Sequence, residues 1–129
     1  MAEKVVVRTD EAPGPFQGAP YNQAIRVGDV VFVAGQLGIS LETGALAEGG
    51  ISEQTEQIMR NLRAILEAAG SGLDKLVKTT VFLMDLADFV AMNEVYTRHV
   101  GDRPPARSTV QISGLPSGAL VEIEAVAHV

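Results

Sequence analysis

The 129-residue chain contains no cysteine and no tryptophan, and it has only two histidines. The lack of cysteine excludes a disulfide framework, thiolate metal ligands and a cysteine nucleophile. His99 and His128 do not form a metal-binding spacing, so we expect no metal site. No apolar run approaches the ~20 residues that a membrane-spanning helix requires, so a membrane partner is not expected either.

Basic residues are also scarce, with 10 Lys+Arg against 16 Asp+Glu and a formal net charge of −6. This charge opposes a phosphate backbone, which makes nucleic acid an unfavourable partner. The start of the chain, MAEKVVVRTDE, lacks the basic-then-apolar layout of a signal peptide, so a cytoplasmic location is expected. Surface scaling predicts that about two-thirds of the extended chain's surface is buried on folding, enough for one domain over residues 1–129.

The apolar pattern predicts an α+β fold with both helices on one face of a six-stranded mixed sheet. Gly28-Asp29 separates two β-rich runs, which is the spacing of a tight hairpin. A helix is expected over Ser52–Ala69, with Ser52 as its N-cap and Gly70 just beyond its end. The remaining expected elements are strands at Lys4–Arg8, Leu76–Met84, Arg107–Ile112 and Leu120–His128, a helix from Asp85 to about Val100, and an irregular arm at Glu11–Pro20.

Two charged side chains on neighbouring predicted strands are the first candidates for chemistry. Alternation makes Ser108, Val110 and Ile112 the core set of their strand and turns Arg107 to the other face. Glu122 is expected on that same helix-free face, because Val121 and Ile123 point inward. The pair would either hold a substrate carboxylate beside a water-activating glutamate or form a cross-strand ion pair on a solvated sheet.

Three further positions admit both a functional and a structural interpretation. Asn93 lies in the apolar stripe of the second helix, where its amide would either hold a loop near a site or fasten backbone within the core. Gly35 ends a strand, where it would either admit a ligand close to the backbone or form a bulge. Tyr21 precedes the hairpin and would either close a pocket or simply pack.

Several short motifs, taken together and in order, resemble the RidA/YjgF/L-PSP family of reactive-intermediate imine deaminases. They are APYNQA at 19–24, VFVAGQ at 31–36, TGAL at 43–46, PPARSTV at 104–110 and VEIEAVA at 121–127. The resemblance implies a chorismate-mutase-like fold and a homotrimer with a central barrel and clefts between subunits. It further implies cofactor-independent hydrolysis of 2-imino acids to 2-keto acids and ammonia.

The resemblance also implies roles for individual residues. Arg107 would bind the substrate carboxylate, assisted by backbone groups around Gly35 and Thr109. Glu122 would position the attacking water, and Tyr21 and Asn93 would line or brace the cleft, with Tyr21 beside a neighbouring subunit's Arg107.

The chain departs from the family pattern at some of these places. Thr109 stands where cysteine is frequent, and Ala34 stands where a small hydroxyl residue is frequent. An earlier near-copy of the tyrosine motif makes Phe16 the rival of Tyr21. A non-catalytic trimeric metabolite-binding or chaperone-like module is the alternative function, and an endoribonuclease or translation inhibitor fits the charge less well.

Overall fold

Six strands form one mixed sheet in this computed structural model, which describes residues 2–129. The strands are β1 (Lys4–Val7), β2 (Ala24–Val27), β3 (Val30–Leu37), β4 (Leu76–Leu83), β5 (Ala106–Gln111) and β6 (Val121–His128), and the helices are α1 (Ile51–Ala68) and α2 (Phe89–Val100). Their order across the sheet is β1-β2-β3-β6-β4-β5. Only β4 and β5 run parallel among these neighbours, so the predicted mixed α+β sheet with two helices is confirmed.

Both helices pack on the same face of the sheet, because residues of α1 and α2 share one buried core with alternate residues of the strands. In β6 the inward residues are Val121, Ile123, Ala125 and Ala127, each at most 4% exposed. The prediction from alternation is therefore confirmed for this strand. The residues between them point to the helix-free face, and one of these is Glu122.

Glycine conformations define the predicted hairpin and the end of α1. Gly28 has φ +57° between β2 and β3, a conformation that favours glycine in a two-residue turn. Gly70 has φ +84°, and its N–H and that of Ser71 bond to the carbonyls of Glu67 and Leu66. These two bonds form a Schellman motif, as expected for glycine at this position.

The beginnings of both helices differ from the prediction. The N-cap of α1 is Gly50 rather than Ser52, since the helix starts one residue earlier than its polar cap candidate. Asp85 does begin the second helical segment, because its carboxylate accepts a hydrogen bond from the N–H of Ala87. That bond starts a short 3-10 turn, Leu86–Asp88, and α2 proper follows.

Among residues 2–129, no helix combines the length and the apolar character needed to cross a membrane.

Candidate functional site

A cavity of about 360 Å³ opens where β3 and β6 meet the irregular arm. Glu122 from β6 and Gly35 from β3 lie in its wall, and Tyr21 lies at the end of the arm. The other lining residues are mostly apolar: Pro13, Gly14, Phe16, Ala19, Gln23, Ala34, Gln36, Leu37, Ile39 and Pro116. The cavity therefore presents one carboxylate in largely apolar surroundings, a composition typical of small-molecule sites.

The absence of a side chain at Gly35 makes room for the Glu122 carboxyl. The register of β3 against β6 shifts between Val33 and Gln36, so Ala34 and Gly35 form an irregularity in the ladder. A Cβ atom at Gly35 would lie 2.8 Å from Cδ and Oε2 of Glu122, closer than such atoms approach. The Glu122 carboxyl therefore occupies the space that a side chain at position 35 would fill.

If the Glu122 carboxyl is a catalytic group, Gly35→Ala is expected to reduce turnover about a hundredfold, because displacement of such a group by about 1 Å has effects of this size. Steady-state kinetics and a crystal structure of the variant would measure the loss and the displaced Glu122 side chain. Gly114→Ala is the matched control, since a Cβ there meets nothing within 4 Å. Equal activities of the two variants would contradict this role of Gly35.

The Glu122 carboxyl is half-buried, and this burial raises its pKa above the usual value for glutamate. The negative charge of Glu124, two residues along the same strand, raises this pKa further. Both effects disfavour the ionised form, so the carboxyl takes up a proton more readily than an exposed glutamate. A carboxyl of this kind in a cavity is suited to accept and return protons during a reaction.

Tyr21 and Phe16, the two rivals of the sequence comparison, both line the cavity. They are also joined to each other, because the backbone N–H of Phe16 donates a hydrogen bond to the Tyr21 hydroxyl at 2.6 Å. Tyr21 is 40% exposed. The Tyr21 ring can therefore contact both the interior of the cavity and a molecule bound outside the cavity.

Arg107 does not face this cavity, and the expectation that it shares the face of Glu122 within one chain is wrong. Its guanidinium carbon lies 4.9 Å from the centre of the Tyr96 ring and 5.4 Å from that of Phe89. Both rings belong to α2, on the helix-covered face. Consistent with this, Arg107 is level with the buried Thr79 of β4, whose hydroxyl bonds to that of Tyr96 at 2.6 Å.

The predicted core set of β5 is wrong for the same reason. Ser108 and Val110 are exposed on the helix-free face, and Ile112 is only partly buried beyond the strand end. Thr109 is partly buried and shares the side of Arg107. Cation–π contact with two aromatic rings fixes the arginine there. Burial raises the pKa of the Tyr96 hydroxyl, so this ring stays neutral beneath the cation.

Asn93 lies on the same side of the sheet as Arg107 and does not line the cavity. It lies one helical turn from both Phe89 and Tyr96 on α2, and so shares their face. Its Oδ1 atom is buried and is the one such side-chain atom without a hydrogen-bond partner among residues 2–129. The candidate site residues thus fall into two separate groups, which we call the carboxylate surface (Glu122, Gly35, Tyr21) and the arginine surface (Arg107, Asn93, Thr109).

The sequence interpretation missed several residues that shape the cavity, foremost Gln23, Gln36 and Pro116. Gln23 and Gln36 are 4% and 7% exposed, and buried glutamine is uncommon enough to merit notice. Both lie within or beside motifs already singled out, APYNQA and VFVAGQ. In the described part of the chain, no cluster of three or more His, Asp or Glu side chains has the arrangement of a metal site.

A family model described as endoribonuclease L-PSP matches residues 10–129. A RutC family protein of Pyrococcus abyssi is 50% identical over 125 residues, which is 97% of either chain. Human 2-iminobutanoate/2-iminopropanoate deaminase is 41% identical over 122 residues, covering 95% of this chain and 88% of the human protein. The crystal structure of RidA from an Antarctic Psychrobacter species is similar with a TM-score of 0.92 and 42% identity, covering 97% of this chain and 99% of that one.

Proposed function

The chain belongs to the RidA/YjgF/L-PSP family, and from this membership we propose that it hydrolyses 2-imino acids to 2-keto acids and ammonia. The name of the human relative, a 2-iminobutanoate/2-iminopropanoate deaminase, supports a small substrate of this class. The observation that carries the proposal is the half-buried Glu122 carboxyl against Gly35, in a cavity with mostly apolar walls.

Glu122 supplies the proton transfers that imine hydrolysis needs. Its carboxylate accepts a proton from a water molecule as the water oxygen forms a bond to the imine carbon. Glu122 returns this proton to the imine nitrogen, which gives a tetrahedral carbinolamine. The hydroxyl proton of the carbinolamine is then passed to its amino nitrogen as the C–N bond breaks, which releases ammonia and leaves the keto group. Water is the only co-reactant in this balance, so the step requires neither metal nor cofactor.

Arg107 is the proposed anchor of the substrate carboxylate. A guanidinium binds a carboxylate through two parallel hydrogen bonds, which would fix the imine carbon relative to the attacking water. Its stacking on Tyr96 and Phe89 holds the guanidinium in place without neutralising its charge. Thr109 would assist through its backbone, and Asn93 would brace the cleft, where its unpartnered Oδ1 can accept a hydrogen bond from a donor but not from the carboxylate itself.

Arg107 and Glu122 face opposite sides of one sheet, so a single chain cannot bring them to the same substrate. A second copy of the chain would bring its arginine surface to the carboxylate surface of the first. The helix-free face also exposes apolar side chains suited to such contact: Val30, Phe32 and Val110 are 38%, 50% and 42% exposed. We therefore propose a homotrimer in which each of three sites is shared by two subunits.

Mixed assemblies of two impaired variants, assayed at substrate concentrations well below the KM of Arg107→Ala, test this arrangement. Arg107→Ala keeps the carboxylate surface and Glu122→Gln keeps the arginine surface, so neighbouring subunits of different type complete an intact site. When equal amounts of the two are unfolded and refolded together, random assembly in a closed ring restores about a quarter of wild-type activity. The activity of the mixture, measured against each variant refolded alone, gives the result.

The double variant Arg107→Ala/Glu122→Gln, mixed with wild type, is the control for this experiment. It contributes no intact half-site, so random assembly of an equal mixture should leave about a quarter of all sites intact, below the half expected if the two proteins did not mix. A mixture of the single variants that is no more active than its components refolded alone would contradict the shared site. A solution mass equal to that of one chain would do the same.

The activity itself is tested with imine generated in place. A dehydratase acting on serine releases 2-aminoacrylate, which tautomerises to 2-iminopropanoate, and pyruvate formation is followed with and without the protein. No acceleration by the wild-type protein would overturn the deaminase proposal in favour of the binding-module alternative. Ribonuclease activity, which the family description names, is disfavoured by the net charge of −6 and by a cavity whose charged group is a carboxylate.

A further inference from the structure

Gln23 is a buried glutamine whose side chain makes four contacts with the backbone of residues 9–13, at and just before the start of the irregular arm. Its Oε1 accepts a hydrogen bond from the N–H of Thr9 at 2.8 Å. Its Nε2 lies 3.1 Å from the carbonyl oxygen of Thr9, 3.2 Å from that of Ala12 and 2.9 Å from that of Pro13. The amide therefore pairs with the peptide groups of the arm as a neighbouring strand would.

The backbone of Gln23 is tied to the opposite wall of the cavity. Its carbonyl oxygen accepts a hydrogen bond of 2.9 Å from the N–H of Ala34, the residue before Gly35. Gln23 thus links the irregular part of β3, where the Glu122 carboxyl is seated, to the arm that closes the cavity on the other side. Beyond the four contacts the arm continues into Gly14 and Phe16, which line the cavity.

The arm has few other means of staying in place. Residues 8–23 contain no α-helix or β-strand, and the 3-10 turn at Phe16–Gly18 includes Gln17 at φ +53°, a left-handed conformation that is costly for a residue other than glycine. Ala12 is buried, but Pro13 and Phe16 are only partly so. The arm's position over the cavity therefore depends on hydrogen bonds to Gln23, together with the bond from the Phe16 N–H to Tyr21.

We propose that Gln23 is a positioning residue that holds the arm as a wall of the cavity and thereby sets the affinity for the small carboxylate substrate. This inference rests on the proposed function for the identity of that substrate. Glutamine is required because the contacts need an acceptor for one N–H and an NH₂ group whose two hydrogens are shared among three carbonyl oxygens. Glutamate offers acceptors only, and methionine of similar length offers neither.

The test compares wild type with Gln23→Met and Gln23→Glu in the assembled protein. Hydrogen exchange at the Phe16 amide reports the arm, because this amide is bound to Tyr21 and not to Gln23 itself. Titration with 2-oxobutanoate, the keto-acid product, reports affinity. We expect the exchange protection of Phe16 to fall, and the Kd for 2-oxobutanoate and the KM for 2-iminobutanoate to rise about tenfold, with kcat within about threefold of wild type.

Gln23→Glu adds a dependence on pH that a purely structural defect would not show. As a carboxylate, Glu at this position faces three carbonyl oxygens and should release the arm at neutral pH. As a protonated acid it regains one donor, so Phe16 protection should recover relative to wild type as the pH is lowered. Gln23→Met has no such group, and its loss of protection should not change with pH.

Thr55→Val is the matched control. Thr55 is fully buried in α1 and its hydroxyl bonds only to the carbonyl of Ile51 in the same helix, so its loss destabilises the fold without touching the arm. Equal effects of Thr55→Val and Gln23→Met on Phe16 exchange and on affinity would overturn the proposal, as would an unchanged Kd in Gln23→Met. A wild-type protein that binds 2-oxobutanoate but hydrolyses no imine would overturn the proposed function alone.

Discussion

Glu122→Gln is expected to lower kcat by about a thousandfold with little change in KM, since a positioned general acid–base group contributes about 10²–10⁴-fold. The amide matches the carboxyl in shape and fits the same space against Gly35. It cannot accept a proton from water, so the chemical step is lost while the cavity is retained. The dehydratase-coupled assay, with pyruvate or 2-oxobutanoate as product, measures both constants.

The stability of this variant separates loss of chemistry from loss of folding. Because burial raises the pKa of Glu122 in the folded protein, the carboxyl stabilises the fold below its unfolded pKa, and this stabilisation disappears as the pH rises through the folded pKa. At neutral pH the wild type therefore has an ionised group whose charge the fold disfavours. Glu122→Gln should be at least as stable as wild type in thermal unfolding at pH 7, and a clearly lower Tm would contradict this account.

The raised pKa of Glu122 also determines how activity should decline at acidic pH. On the proposed mechanism the carboxylate form accepts the water proton, so kcat/KM should fall as the pH drops through the raised pKa of Glu122. This decline should begin at a higher pH than it would for an ordinary glutamate.

Arg107→Ala is expected to act mainly on substrate binding and to raise KM about a hundredfold, since a charged hydrogen-bonding group of this kind contributes about 1.5–3 kcal/mol. Arg107→Lys should recover only part of this loss. Lysine retains the charge but lacks the planar fork for a carboxylate and the flat surface that stacks on the Tyr96 ring. KM values for wild type and both variants give the comparison.

Arg103→Ala provides the control for the removal of one positive charge. Arg103 is exposed in the loop before β5 and belongs to neither the carboxylate surface nor the arginine surface. The Arg103→Ala variant should bind substrate as the wild type does, apart from a small effect of the lost charge on the electrostatic field of the protein. A similar rise in KM for Arg103→Ala and Arg107→Ala would indicate that net charge, rather than a specific anchor, governs substrate binding.

The sequence predicted the face of Glu122 but not that of Arg107, and the difference lies in their strands. In β6 the inward positions are occupied by Val121 and Ile123, so a period of two is visible in the sequence itself. In β5, an edge strand, Ser108 and Val110 look no less suited to the core than Arg107 and Thr109. What decides the orientation is the contact of Arg107 with Tyr96 on a helix that precedes it in the chain, and alternation within a strand carries no information about such a contact.

The arm shows a second limit of sequence interpretation. Prolines and glycines between residues 11 and 20 predicted irregular structure there correctly. Gln23 was not recognised as its anchor, because its partners lie 10–14 residues earlier in a segment with no periodicity. Burial of a long polar side chain is a property of the folded chain, and only the packed structure displays it.

The opposite orientations of Arg107 and Glu122 bear on when the protein becomes active after its synthesis. On the proposed arrangement, a newly made chain can complete its core, its helices and its sheet and still hold only two unmatched halves of a site. On the proposed mechanism, turnover begins when copies meet, so catalysis per chain depends on how much of the protein is present. Dilution below the dissociation constant of the assembly would silence correctly folded chains without unfolding any of them.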